Sequence, residues 1–175
     1  MPILDLTLPL THKMPVYPGD PEVLIEEIHT LDNEGWRLRQ LSLSTHIGTH
    51  INVPFHMVAN GKTLSEYELS DFISESIVYT EKCEWDANIG LIFSSQNIDE
   101  AVAEKLVKNP PKFVGLSATF EFDIAIEKLL LEHNIISYEN LANTEKLPSN
   151  FMFYGIPLDI PGADGSPVRA FAVIV

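Results

Sequence analysis

Three of the six histidines in this chain lie within residues 46–56, whose sequence is HIGTHINVPFH. Imidazole is the commonest side chain among protein metal ligands, and it is also the commonest general acid–base group near neutral pH. The glycine of the segment permits a tight turn, and its proline removes an amide donor and disfavours a continuous helix. We therefore expect a short strand that runs into a loop and directs His46, His50 and Asn52 into one cavity. The alternative is a chance cluster of histidines on a solvated loop.

The rest of the chain shows alternating and helical patterns that would position this segment. Two stretches predict helices: Asn97–Val107, with an N-cap and an acidic first turn, and Asp123–Leu131, with apolar side chains at helical spacing. Thr63–Tyr67 has the spacing of a capped turn, and a proline- and glycine-rich loop is predicted over residues 159–167. The expected fold is a mixed α/β domain with more strand than helix. Strands are predicted over residues 3–10, 23–31, 36–43, 76–80, 90–94, 112–116, 134–138, 151–158 and 170–175.

Composition excludes several classes of function. The chain is long enough for one domain, residues 1–175, and its 11 basic and 25 acidic residues give a net charge of −14. A surface this acidic repels phosphate backbones and anionic membranes, so we expect no nucleic-acid partner and no membrane partner. Cys83 is the single cysteine, which excludes an internal disulfide and a cysteine-based zinc site. The N-terminal residues lack the pattern of a secretory signal, so the expected location is the cytoplasm.

The histidine segment resembles the HxGTHxDxPxH motif of the cyclase-like metal-dependent hydrolases, a family that includes bacterial kynurenine formamidase and isatin hydrolase. Four other segments resemble this family in the same order along the chain, which extends the resemblance over nearly its whole length. It implies a single α/β domain of the swivelling β/β/α type, with a β-rich mixed sheet and a few helices, that forms a homodimer or tetramer. The four segments are Met14–Pro21, the region from residue 115 to residue 123, Tyr138–Leu141, and the sequence DGSPVRA at residues 164–170.

The resemblance also implies roles for individual residues. His46, His50 and Glu139 match metal-ligand positions of the family, and His56 matches its acid–base position. The alternatives are structural. Each histidine could instead stabilise a loop by hydrogen bonding, and Glu139 could be a surface carboxylate at the end of a strand.

Two further ligand positions depart from the family pattern. Asn52 stands where the family has a metal-bridging aspartate, and Glu127 stands where it has a later histidine ligand. An amide oxygen is a poor bridge between two dications, whereas a carboxylate at position 127 can bind a metal and suits Mn²⁺ better than an imidazole-rich zinc site. The alternatives are a hydrogen-bonding role for Asn52 and a solvated helix glutamate at position 127. We expect one divalent ion, Zn²⁺ or Mn²⁺, held by His46, His50 and Glu139, rather than a bridged pair.

Two aromatic residues are candidates for the substrate pocket. Tyr17 lies in the first proline- and glycine-rich loop and is predicted to wall the pocket, with a rigid turn as the alternative explanation of that loop. Trp36 is predicted either to line the pocket or to join the core. Asp164 and Arg169 are predicted to form an ion pair that fixes the C-terminal loop.

The predicted function is hydrolysis of a small amide by metal-activated water, the substrate being an aryl formamide such as N-formylkynurenine or a cyclic amide. The residues at positions 52 and 127 favour a second hypothesis, a catalytically impaired family member that keeps the fold as a binding or assembly module. A third hypothesis is a metal-assisted cyclisation or dehydration at the same site. The expected partners are a small-molecule amide and further copies of the chain.

Overall fold

In the computed structural model, residues 1–174 are described, and they form one large sheet and a separate β-hairpin. The strands in chain order are β1 (Ile3–Asp5), β2 (Leu24–His29), β3 (Leu38–Ser42), β4 (His50–Asn52), β5 (Ile73–Val78), β6 (Gly90–Phe93), β7 (Phe113–Ser117), β8 (Ile136–Leu141), β9 (Asn150–Tyr154), β10 (Gly165–Pro167) and β11 (Phe171–Val173). A one-turn helix, α1 (Leu31–Glu34), joins β2 and β3, which pair as the hairpin. The large sheet has the order β1-β11-β9-β5-β6-β7-β8-β4-β10.

Parallel strands lie at the centre of the large sheet, and two helices connect them. β5, β6, β7 and β8 pair in parallel with one another, whereas the other ladders of the described chain are antiparallel. Parallel neighbours require a crossover. Two of the crossovers contain helices, α2 (Glu100–Lys108) between β6 and β7 and α3 (Ile124–Glu132) between β7 and β8, whereas residues 79–89 join β5 to β6 without a helix. Asp99 and Asp123 cap these helices by accepting hydrogen bonds from backbone amides of the first turn.

Side chains alternate between the two faces of the central strands, so each face carries its own hydrophobic core. On β6, Leu91 and Phe93 belong to the core that includes α2 and α3, whereas Ile92 belongs to the core on the opposite face. Strand β4 continues this alternation, because Ile51 is fully buried in the core to which α2 and α3 contribute no residue. Its neighbours His50 and Asn52 consequently point to the face covered by the helices.

Both predicted helices form, and each predicted strand overlaps an observed strand, although the bounds of several differ by two or more residues. The first strand ends at Asp5 instead of residue 10, because the Leu8 amide leaves the ladder and donates to the Thr49 hydroxyl. The last predicted strand, 170–175, is observed over Phe171–Val173, and Val175 lies outside the described residues. None of the helices in residues 1–174 has the length and apolar character that a membrane span requires.

One strand that the sequence patterns do not predict completes the sheet. β10 lies within the loop predicted over residues 159–167, and its Gly-Ser-Pro sequence has low intrinsic strand propensity. It forms because it pairs antiparallel with β4, where Gly165 stands opposite Asn52. This pairing brings the C-terminal region of the chain beside the histidine segment.

Candidate functional site

Strand β4 positions the central side chains of the site. Its residues His50 and Asn52 stand opposite Glu139 and Ser137 of β8. The chain enters β4 through a turn in which Gly48 has a φ of +59°, a conformation that favours glycine. The predicted strand that runs into a loop is therefore present, and the polar side chains of the strand and its preceding turn meet in two adjoining clusters.

The first cluster, which we call the histidine–aspartate cluster, consists of His46, His56 and Asp164. His46 Nε2 lies 2.8 Å from Asp164 Oδ2, and His56 Nδ1 lies 3.6 Å from the same oxygen. The two imidazole rings lie close together, with their centroids 3.9 Å apart and their planes tilted by 34°. Within residues 1–174, this is the group of histidine and carboxylate residues whose ligand atoms all lie within 4.8 Å of one another. Its side chains are partly exposed, so a small molecule in solution can reach them.

Gly165 makes room for the first histidine of this cluster. A Cβ atom on Gly165 would lie 2.6 Å from His46 Cε1 and 2.5 Å from the Ile51 carbonyl oxygen, and both distances are too short for real contacts. The glycine of β10 therefore lets the His46 ring lie against the strand. Thr45 supports the cluster from the other side, because its hydroxyl donates to Asp164 Oδ1 at 3.0 Å.

The hydrogen-bond partners of His46 define where its ring hydrogen lies. Nδ1 is 2.6 Å from Asn52 Oδ1, an acceptor, so Nδ1 carries a hydrogen and donates it. Nε2 faces a second acceptor, the Asp164 carboxylate. A proton between these two atoms, or a cation bound by both of them, accounts for this short distance.

The second cluster, which we call the amide–carboxylate cluster, is buried and centred on Asn52. Asn52 Nδ2 donates to Glu127 Oε1 at 2.6 Å and to Glu139 Oε1 at 2.7 Å, and the Ser137 hydroxyl lies 3.3 Å away. His50 joins through its Nε2 atom, 3.4 Å from Glu139 Oε1, while its Nδ1 donates to the Gly48 carbonyl at 2.9 Å. Helix α3 contributes Glu127, which is only 6% exposed.

Burial and neighbouring charges shift the pKa values of four site residues, two upward and two downward. Burial and the nearby Glu139 charge raise the pKa of Glu127 to about 7. Burial would also raise the pKa of Glu139, but the hydrogen bond and charge of His50 outweigh it and lower that pKa. Burial would lower the pKa of His50, but Glu139 outweighs it and raises that pKa. In the other cluster, burial and the neighbouring His46 ring lower the pKa of His56.

The donor chemistry of the histidine–aspartate cluster fits one divalent ion. Two imidazole nitrogens and one carboxylate oxygen are a common protein ligand set for catalytic metals, which keep a further coordination position open. The amide–carboxylate cluster does not fit a second ion, because Asn52 Nδ2 lies between its two carboxylates and already donates to both. The structure therefore has a possible three-residue metal site at the histidine–aspartate cluster.

The structure divides the predicted metal ligands between the two clusters. His46 faces Asp164, whereas His50 and Glu139 face each other in the neighbouring cluster. The ligand roles of His46, His50 and Glu139, and the acid–base role of His56, stay predictions. The geometry offers a different ligand set, His46, His56 and Asp164, on which the proposal below is built. The hydrogen-bonding role considered for Asn52 is confirmed, and the picture of a solvated Glu127 is wrong because α3 packs against the sheet and buries this side chain.

Asp164 is a site residue that the sequence reasoning missed. The predicted ion pair between Asp164 and Arg169 is wrong, because Arg169 Nη2 lies 2.6 Å from Asp5 Oδ2 and Asp164 faces the histidines. The pairing of β10 with β4 causes this difference, since it carries residue 164 to the histidine segment. The available signal was the acidic residue directly before Gly-Ser-Pro, in the segment that resembles the family's C-terminal signature.

The two aromatic candidates are exposed. Tyr17 is 65% exposed and Trp36 is 56% exposed, so the suggested place of Trp36 in the core is wrong. Trp36 instead contacts His29 at the end of the hairpin, with ring centroids 5.4 Å apart. The pocket-lining roles of Tyr17 and Trp36 stay predictions.

Comparison with known proteins assigns the family. A family model described as "Putative cyclase" matches residues 4–123. The chain belongs to this cyclase family. The cyclase-family chain is 30% identical to an uncharacterised protein of Methanocaldococcus jannaschii, over 99% of this chain and 100% of that protein. It is 24% identical to the kynurenine formamidase of Geobacillus thermodenitrificans, over 97% of this chain and 96% of that enzyme.

Solved structures confirm the cyclase-like α/β fold. An isatin hydrolase bound to the product analogue thioisatinate superposes with a TM-score of 0.82 at 20% identity, and the match covers 98% of this chain and 92% of that one. A potential metal-dependent hydrolase with cyclase activity superposes with a TM-score of 0.79 at 20% identity, over 98% of this chain and 96% of that one. The fold that the sequence resemblance implied is therefore correct along nearly the whole cyclase-family chain.

Proposed function

We propose that this cyclase-family protein is a metal-dependent hydrolase of a small amide, either an aryl formamide or a cyclic amide. The observation that carries the proposal is the convergence of His46 Nε2, His56 Nδ1 and Asp164 Oδ2 on one partly exposed point. These three atoms would hold a Zn²⁺ or Mn²⁺ ion. The names of the kynurenine formamidase and isatin hydrolase relatives support the substrate class.

A divalent ion at this point supplies Lewis-acid chemistry, which makes water a better nucleophile at neutral pH and polarises an amide carbonyl. The chain's own residues prepare the ligands for this task. Asn52 Oδ1 accepts from His46 Nδ1 and so keeps the Nε2 lone pair directed at the cluster. Thr45 holds the Asp164 carboxylate through its second oxygen, which leaves Oδ2 free to face both histidines.

A metal-loading and hydrolysis assay tests the proposal. Protein stripped with a chelator is reloaded with Zn²⁺ or Mn²⁺, and metal content and hydrolysis of aryl formamides and cyclic amides are measured. We expect nearly stoichiometric metal and turnover of at least one amide class. Asp164→Asn should lower both by about 10-fold or more, whereas the control Asp159→Asn, an exposed residue of the same loop, should lower neither. Wild-type protein that takes up no transition metal after loading would overturn the proposal.

A binding or assembly module is the second candidate function, and the closed amide–carboxylate cluster favours it. Asn52 satisfies both buried carboxylates without any ion, which is an arrangement that maintains the fold independently of catalysis. The same assay separates the two candidates. A module would bind amides of the panel, or nothing, without hydrolysing any of them in the metal-loaded state.

We further propose that the protein is a homo-oligomer that associates through the β2–β3 hairpin. A two-stranded sheet is marginally stable alone, and this one exposes Ile28, Leu38 and Leu41 to solvent at 44–56%. Arg39 pairs with Glu27 of β2 in the same hairpin at 3.4 Å. Arg37 lies directly before β3, so a two-fold contact can place it beside glutamates of the second copy's β2 despite the net charge of −14.

Light scattering tests this contact. We expect a dimer or tetramer for the wild type, a monomer for Leu41→Glu, and an unchanged oligomer for Leu69→Glu, which alters an exposed leucine outside the hairpin. A wild-type monomer, or an unchanged oligomer for Leu41→Glu, would refute the proposed interface.

A further inference from the structure

Two buried carboxylates share one nitrogen atom at the centre of the site. Glu127 approaches from helix α3, Glu139 approaches from strand β8, and Asn52 Nδ2 lies 2.6 and 2.7 Å from their Oε1 atoms. Asn52 is fully buried. The nitrogen therefore lies at a point where both carboxylates attract positive charge.

Two carboxylates held this close in a buried place need compensation, which a cation, a proton or strong hydrogen-bond donors can provide. A side-chain amide has two donor hydrogens, and Asn52 directs one to each carboxylate. The opposite amide orientation would place Oδ1, an acceptor, against both carboxylates. The network consequently fixes the amide with its nitrogen between the acids.

We propose that the Asn52 amide takes the place of a second cation, so that no metal ion binds between Glu127 and Glu139. The chain then holds at most one divalent ion, at the histidine–aspartate cluster. Only the presence of that first ion rests on the proposed function. The proposal makes Asn52 a positioning residue as well, because its oxygen orients His46 while its nitrogen donates a hydrogen bond to each acid.

Metal stoichiometry tests the proposal, with Mn²⁺ alone as the probe. Chelator-stripped protein is titrated with Mn²⁺, and the ions per chain are counted by native mass spectrometry and by calorimetry. Asn52→Asp would surround one point with three carboxylates, so we expect this variant to bind one ion more than the wild type. The control Asn97→Asp, at an exposed amide far along the chain, should leave the count unchanged.

Glu127→Gln provides a second test that does not depend on whether the Asn52→Asp variant folds. Glutamine keeps the oxygen that accepts from Asn52 Nδ2, so the fold should be retained. We expect this variant to bind as many ions as the wild type, because the wild type has no cation at Glu127. The double variant Asn52→Asp, Glu127→Gln should lose the additional ion that Asn52→Asp gains.

Each count supports or overturns the inference. Counts of one for the wild type and two for Asn52→Asp support it together with the proposed function. A wild type that binds no ion and an Asn52→Asp variant that binds one ion support the inference but refute the proposed metal-dependent function. Two ions in the wild type, a lower count in Glu127→Gln, or no gain in Asn52→Asp would each overturn it.

Discussion

Replacing Glu127 with glutamine should change how the stability of the metal-free protein depends on pH. Burial and the Glu139 charge raise the Glu127 pKa from its ordinary value of 4.5 to about 7 in the folded protein. Between these two values the folded chain keeps a proton that the unfolded chain releases. The free energy of unfolding therefore contains a favourable contribution at low pH that is lost as the pH rises to about 7. Glutamine does not ionise, so Glu127→Gln removes this loss.

The size of the effect follows from the difference between the two pKa values. One pKa unit corresponds to 1.36 kcal/mol, so the full difference is about 3 kcal/mol, and most of it develops between pH 5 and pH 8. Glu127 is nearly fully buried, so solvent does not screen this effect substantially. Over this range, Glu127→Gln should gain about 2–3 kcal/mol of stability relative to the wild type.

Urea unfolding at several pH values, in the presence of a chelator, measures this difference. Subtracting the wild type from the variant cancels the pH dependence of groups that both proteins share. The matched control is Glu132→Gln, which alters an exposed glutamate of the same helix and should show no pH-dependent change beyond about 0.5 kcal/mol. A difference between Glu127→Gln and the wild type that stays constant from pH 5 to pH 8 would refute the reasoning.

Two further predictions concern the histidine–aspartate cluster. Gly165→Ala should destabilise the protein by about 1–3 kcal/mol and weaken metal binding, because the added Cβ would clash with His46 and the Ile51 carbonyl. Urea unfolding measures the stability, and metal titration measures the affinity. An unchanged stability together with an unchanged affinity would contradict the prediction. His56→Ala should lower metal content and turnover together, because His56 Nδ1 belongs to the proposed ligand set. If turnover falls while the metal is retained, His56 instead has the acid–base role that the family resemblance implies.

The sequence indicates the central strand and its polar face because that information is local. Alternation along residues 50–52 places His50 and Asn52 on one face and Ile51 on the other, and the glycine before them marks the turn. The helices are equally predictable, since Asp99 and Asp123 are recognisable caps. The family resemblance adds the order of the elements, which periodicity alone does not provide.

The parts of the site that sequence reasoning misplaced depend on long-range pairing. Asp164 reaches His46 only because β10 pairs with β4 across more than 100 residues of chain, and the Gly-Ser-Pro sequence of β10 has no strand pattern. Glu127 looks like a solvated helix residue until α3 packs against the sheet. Nearest-neighbour charges suggested Arg169 as the partner of Asp164, although the N-terminal strand brings Asp5 to that arginine instead.

Anomalous scattering from crystals of the Zn²⁺-loaded protein tests the central claim most directly. The account predicts one peak per chain, about 2.0–2.2 Å from His46 Nε2, His56 Nδ1 and an Asp164 carboxylate oxygen. A peak bound by His50 and Glu139, or any peak between Glu127 and Glu139, would contradict it.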